Sequence, residues 1–209
     1  MSRRGAPKPG GSAIAFRARA VATLDARIGV YALCDLDGRP IYVGQSVDGI
    51  RARVRRHLTS ARSDIIANRQ VDVWEVAYVL TWPVVDASAI AALEALLFHT
   101  FNARSALMNG SVPAKPDNMK AAPKPDQRVQ VMSDEEIARR RDPAVRLPRQ
   151  IEHYGRLVDH YLNVKNSAEL RVSMEAHFER LTRYHARFLE QDGPPPIGSD
   201  DVEGNGSLE

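Results

Sequence analysis

With 209 residues, 44% of them hydrophobic and 26% charged, the chain has the composition of an ordinary globular protein, which excludes a collagen-like, wholly disordered or membrane-embedded class. Its formal net charge of +3 hides an asymmetry: residues 191–209 carry five acidic residues and no basic one, leaving a body of +8 that suits a polyanionic partner such as nucleic acid. The single cysteine, Cys34, cannot form an internal disulfide or a multi-cysteine zinc site, and no apolar run approaches the roughly 18 residues of a membrane span, so a cytoplasmic protein of one principal domain with an extension is expected.

Residues 1–11 hold Arg3, Arg4, Lys8, two prolines and three glycines and predict a disordered basic arm. Behind Ser12, the spacing of Ile14, Ala18 and Val21 predicts a helix over residues 12–27. Ile28 to Cys34 and Ile41 to Val43 flank the turn signal Asp37-Gly38 and predict a hairpin of two antiparallel strands. Helical spacing returns at Ile50, Val54 and Leu58, with a short helix expected over residues 64–69. Val71 to Leu80, dense in Val, Trp and Tyr, predicts a third strand that Pro83 ends. Residues 87–101 predict an alanine- and leucine-rich helix capped by Asp86 or Ser88.

Residues 111–132 contain Pro113, Pro116, Pro123 and Pro125 with Lys115, Lys120 and Lys124, a composition that predicts an extended basic linker. Residues 133–190 predict a helical extension. Ser133 and Glu136 have capping-box spacing. One stripe then runs through Ile151, Tyr154, Val158, Tyr161 and Leu162, and a second through Leu170, Met174, Phe178, Leu181, Tyr184 and Phe188, expected as an inner face. The acidic Gly/Pro-rich residues 191–209 predict a disordered tail.

Gly29-Val30-Tyr31 and Tyr42-Val43-Gly44 lie on the two hairpin strands, their tyrosines 11 residues apart. Arg53 follows Tyr42 by 11 residues and His57 follows Arg53 by 4, which puts both on one helix face. Glu94 then falls in the later helix, with Asn109 15 residues beyond it. In this order the residues resemble the signatures of the GIY-YIG nuclease family, with valine in place of isoleucine in both tripeptides. The resemblance covers residues 28–110. It implies an α+β fold with a small three-stranded antiparallel sheet flanked by helices, and cleavage of DNA at a single metal, Mg2+ (or Mn2+), held by Glu94. It further implies that Tyr31 orients or deprotonates the attacking water and relays its proton to His57. Arg53 would hold the scissile phosphate, Tyr42 would make a second phosphate or water contact, and Asn109 would fix nearby backbone.

The residues themselves are consistent with these roles. Glu94 is the only formally charged side chain between Ala87 and Ala103, and it lies on the apolar stripe Ile90, Leu93, Leu97, Phe101, where a carboxylate needs a cation or a polar cleft. Magnesium takes one or two protein carboxylates and completes its shell with water and phosphate. A free phenol titrates near ~10, so Tyr31 needs a nearby cation such as Arg53 or the metal to act as a base. The register of residues 45–49 leaves Arg51 or Arg55 as alternatives to Arg53. Arg51, Arg55, Arg56, Arg62 and Lys115 are candidate DNA contacts. Each position has an ordinary reading: Tyr31 and Tyr42 as strand aromatics, His57 as a helix-end cation, Asn109 as a turn residue before Gly110. Their joint occurrence is what points to a site. The expectation is a magnesium-dependent DNA endonuclease of restriction type, leaving 5′-phosphate and 3′-hydroxyl ends and favouring a homodimer for two-strand cutting. Against it stand a catalytically silent DNA-binding module of the same fold and a mobile-element or repair nuclease acting within a complex.

Overall fold

A computed structural model describes residues 9–60, 65 and 69–190, with side chains from Ser12 onward. Residues 1–8 of the expected arm, Arg62, most of the expected 64–69 helix and the acidic tail lie outside the described residues. Helix α1 spans Pro9–Ala22, so it begins within the stretch expected to be an arm and ends before residue 27. The Asp25 carboxylate turns the chain there by accepting the Arg27 backbone N–H at 2.7 Å.

Strands β1 (Gly29–Cys34) and β2 (Pro40–Ser46) form the hairpin. Asp35 closes its turn, taking the backbone N–H groups of Asp37 and Arg39 at 3.0 and 2.8 Å, with Gly38 at a φ of 76° that glycine adopts without steric cost. Helix α2 is Ile50–Thr59, burying Ile50, Val54, His57 and Leu58 and exposing Arg51, Arg55 and Arg56. Strand β3 is Tyr78–Pro83 and starts later than its Val-rich run suggests. Asp72 accepts the Trp74 backbone N–H at 3.1 Å, which folds Val73–Glu75 into a single 3-10 turn instead. Helix α3, Ile90–Asn102, follows a turn capped by Asp86.

The sheet has four strands, not three, in the order β2-β1-β3-β4 and antiparallel throughout. The fourth, β4 (Gln127–Gln130), lies in the Pro/Lys-rich segment expected to be a linker. Its sequence Gln-Arg-Val-Gln has one apolar side chain and no alternation, so nothing local marks it as a strand. Backbone pairing with β3 makes it one, as Val79 aligns with Val129 and Leu80 with Arg128. The segment before β4 is tied down as well. His99 Nε2 donates to the Pro113 carbonyl at 2.8 Å and Trp82 Nε1 to the Pro123 carbonyl at 3.0 Å.

Strand β1 is buried along its whole length because helices cover both sheet faces. Tyr31, Leu33 and Ile41 pack with Ile50, Val54 and Leu58 of α2 on one face. Val30, Ala32 and Val43 pack with Ile90, Leu97 and Phe98 of α3 on the other. The period of two along β1 thus sorts Val30 to Leu33 into two separate cores, while on β2 a register shift opposite Leu33 and Cys34 puts Ile41 with the α2 side.

Helices α4 (Asp134–Arg141), α5 (Pro143–Asn163) and α6 (Ala168–Leu189) complete the chain's described part. The Ser133 and Ser167 hydroxyls cap α4 and α6 by accepting the N–H groups of Glu136 and Leu170. The apolar row expected as the inner face of α6 is divided. Leu170 and Tyr184 are buried, but Phe178 is 60% exposed, and the buried row includes Ser173, His177 and Arg180. These polar groups dock onto the β1–β2 turn and the 3-10 turn before β3. Arg180 binds the buried Asp35 carboxylate at 3.0 Å, and Glu75 receives Arg146 Nε at 2.9 Å, the Tyr184 hydroxyl at 3.0 Å and Gln150 at 3.2 Å. No described helix is long and apolar enough to cross a membrane.

Candidate active site

Tyr31 faces Gly44 directly across the β1–β2 ladder. Cross-strand partners share a face, and the bare glycine leaves the space in which the Tyr31 phenol lies over β2. A Cβ at position 44 would sit 2.5 Å from the Tyr31 hydroxyl oxygen and 2.8 Å from the Tyr42 ring. Tyr42 pairs with Leu33 and projects on this same face.

Helix α2 brings His57 onto the tyrosines from above. The Tyr31 hydroxyl and His57 Nε2 are 2.7 Å apart, the length of a good hydrogen bond. The three rings form a triangle, with centroid separations of 6.3 Å for Tyr31–Tyr42, 5.9 Å for Tyr31–His57 and 6.1 Å for Tyr42–His57. Tyr31 and His57 have no exposed surface, whereas Tyr42 is partly exposed. Arg53 stands one turn before His57 on α2 and is partly buried. With water excluded around the phenol and imidazole, their hydrogen bond is a path along which a proton can pass between oxygen and nitrogen.

Asn109 is buried and serves β2. Its Oδ1 accepts the Val43 N–H at 3.0 Å and its Nδ2 donates to the Val43 carbonyl at 2.6 Å. One side-chain amide therefore satisfies both outward backbone groups of a residue on an edge strand, in the middle of Tyr42-Val43-Gly44.

Glu94 comes from the other helical layer, on α3, the helix that covers the Val30 and Val43 face. It does not join the ring triangle. Among the described residues it makes no hydrogen bond or ion pair, and burial alone raises its carboxyl above the ordinary carboxylate range. Half-buried, dehydrated and uncompensated, it fits a cation. Among the described residues no group of three or more His, Cys, Asp or Glu side chains could enclose a metal, so a divalent ion on Glu94 would keep most of its water and take further oxygens from substrate, as magnesium readily does.

Of the candidate DNA contacts, Arg55, Arg56 and Lys115 are exposed. Arg51 is exposed too, but its Nε is spent on the Leu24 carbonyl at 2.6 Å, tying α2 to the turn before β1. Arg62 lies outside the described residues. Two further arginines reach the neighbourhood of His57, Arg17 from α1 and Arg140 from α4, where both line a cleft at the end of α2. They come from distant parts of the sequence, so no local spacing announces them.

Compared with known families, residues 27–108 match the GIY-YIG catalytic domain. No curated protein and no solved structure matches the chain.

Proposed function

Because residues 27–108 are a GIY-YIG catalytic domain, and hence a nuclease unit, we propose that the protein is a divalent-metal-dependent DNA endonuclease in which Tyr31, Tyr42, Arg53, His57, Glu94 and Asn109 form the working site. The observation that carries the reading is the 2.7 Å hydrogen bond between the Tyr31 hydroxyl and His57 Nε2. A buried phenol paired with an imidazole is a poor choice for mere packing, since an apolar ring would serve, but it is a competent proton path.

In this reading the substrate phosphate arrives on the Tyr42 side, where the ring triangle has exposed surface. Arg53 holds it, its planar fork matching two phosphate oxygens. Water attacks phosphorus and gives its proton to the Tyr31 oxygen, while the phenol proton passes to His57 Nε2. The new P–O bond forms as the bond to the 3′ oxygen breaks. Solvent supplies the proton that this oxygen takes up, so the products carry 5′-phosphate and 3′-hydroxyl ends. Asn109 acts through β2, keeping Tyr42 and Gly44 in place. Glu94 is the residue that would hold the divalent cation, preferably magnesium, whose contribution is to offset charge on phosphate and leaving oxygen.

Restriction-type cleavage is the biological form we favour, because the C-terminal helices pack onto the catalytic layers instead of forming a separate module. Cutting both strands would take two copies of the site. The test is incubation of wild type, Tyr31→Phe and Glu94→Ala with duplex plasmid in magnesium or EDTA, followed by sequencing of product ends. Wild type alone should nick, and only with magnesium. Equal nicking by all three would overturn the assignment.

A further inference from the structure

Beyond the ring triangle, the described residues line a cleft of about 630 Å³ between α1, the last turn of α2 and α4. Its volume lies within the roughly 300–1,000 Å³ of small-ligand sites. The α2 turn at its floor carries His57, and Ile14 and Leu58 supply an apolar wall. Two guanidiniums converge across it. Arg17 spends one long bond of 3.4 Å on the Val73 carbonyl. Arg140 lies 4.8 Å over the Trp74 ring, bonds the Trp74 carbonyl and pairs with Glu136. Among the described residues its buried Nε has no hydrogen-bond partner.

Among the cleft's lining residues Glu136 is one carboxylate against two guanidiniums, with Asp72 acting on both from outside the lining. Burial first, and then the Arg140 charge, lower the Arg17 guanidinium from its ordinary value. Two partly dehydrated cations held this close are stabilised by an anion. Of the adjoining grooves on α1, the one with Arg51 and Arg55 extends the positive surface, whereas the other sets Glu135 and Glu136 against Arg19 and Arg139.

We propose that this cleft is a second phosphate-binding subsite, in which Arg17 and Arg140 hold a phosphodiester of the nucleic-acid substrate away from the scissile bond. The proposal rests on the nuclease reading. It assigns a substrate-binding task to elements that lie outside residues 27–108 and that the chain adds to the domain. The apolar wall suits the sugar beside the phosphate, and His57, which lines the cleft and bonds Tyr31, makes the subsite adjoin the ring triangle.

Binding, not cleavage, tests it, so that failure here and failure of the nuclease reading are distinguishable. Fluorescence anisotropy with a labelled DNA duplex, in EDTA, would be followed across a salt series for wild type, Arg17→Ala and Arg171→Ala. Arg171 is exposed on α6, far along the chain from the cleft, and its replacement removes the same charge. Arg17→Ala should weaken binding several-fold and reduce the slope of log affinity against log salt by about 0.9, the contribution of one phosphate contact. Arg171→Ala should match wild type. Arg140→Lys, which keeps the charge but not the fork, should weaken binding with little change in slope. Thermal melting of each variant identifies any that fail to fold. Equal effects of Arg17→Ala and Arg171→Ala, or weaker binding by Arg17→Ala with an unchanged slope, would overturn the subsite. Absence of plasmid nicking by wild type would instead overturn the nuclease reading.

Discussion

His153 of α5 and His177 of α6 lie side by side in the interior, ring centroids 5.0 Å apart and planes tilted by 41°, and clasp consecutive backbone carbonyls. His153 Nε2 donates to Arg69 at 3.1 Å and His177 Nε2 to Gln70 at 2.9 Å. Carbonyls only accept, so each ring carries its proton on Nε2. The clasp fixes the chain between α2 and β3.

The clasp makes stability fall in acid. Burial, and then His153, push the His177 imidazole down to about 3, while a free imidazole titrates near ~6.5. Between these values the unfolded chain binds a proton that the folded chain refuses. Stability is therefore complete above the unfolded value and is lost as pH falls toward the folded one, by about 1.4 kcal/mol per pH unit for one group. His153, also lowered by burial, adds to the slope. Urea midpoints should fall steeply between about pH 7 and pH 5. His177→Gln, which retains an N–H for the Gln70 carbonyl, should flatten the dependence, and an unaltered slope in that variant would remove His177 from the explanation.

Arg146 and Glu75 are each almost fully buried and in direct contact, with Asp37 at 2.8 Å on the other side of the guanidinium. Removing only the cation leaves the buried Glu75 carboxylate without its ion-pair partner, whereas Asp37 keeps Arg187 at 3.0 Å. Arg146→Met should cost about 3–5 kcal/mol in urea denaturation. Arg146→Met combined with Glu75→Leu should recover most of this, because the penalty lies in the unpaired charge. A double variant no better than the single one would mean that shape, not charge, sets the cost.

These polar contacts are where the sequence is least legible. The alternation of Val30, Tyr31, Ala32 and Leu33 discloses β1 and its two faces, and the α2 spacing shows that Arg53 and His57 share a side. On α6, by contrast, hydrophobic periodicity selects Met174, Phe178 and Leu181, while polar contacts to Met108, Gln70 and Asp35 select Ser173, His177 and Arg180, whose partners sit far away in the chain. Strand β4 is hidden for the same reason, since its pairing with β3 is a backbone property that Gln127 to Gln130 do not advertise. At the site, six residues can be nominated in order, yet only geometry separates the ring triangle of Tyr31, Tyr42 and His57 from Glu94 in the opposite layer. Asn109 reads locally as a turn residue, because both its bonds go to Val43, 66 residues earlier in the chain.

Gly44→Ala should disable the enzyme with modest loss of stability. The new methyl would lie 2.5 Å from the Tyr31 hydroxyl oxygen and 2.7 Å from its Cζ, and the buried ring has little room to withdraw. Overpacking of this kind costs about 1–3 kcal/mol, and displacement of a catalytic group by an ångström costs about 100-fold in rate. Gly155→Ala is the control. Nothing lies within 4 Å of its added Cβ, so the substitution should stabilise α5 by about 0.5–1 kcal/mol and leave plasmid nicking unchanged. Full activity in Gly44→Ala would show that Tyr31 needs no fixed position over β2.

Glu94 should set stability against function. Burial raises its carboxyl, and no described neighbour offsets that. In the folded protein the proton is thus held more tightly than in the unfolded chain. The group's contribution is complete below the unfolded value and is lost as pH rises through the folded one. Glu94→Gln removes this loss, so in EDTA the variant should be more stable than wild type at neutral pH and less different from it in acid. Magnesium should reverse the order. A cation bound only by the folded protein adds about 2.7 kcal/mol at a hundred times its dissociation constant, raising the melting temperature of wild type and not that of Glu94→Gln, which should also lose nicking. If magnesium raises both melting temperatures equally, Glu94 does not hold the ion, even should cleavage prove metal-dependent.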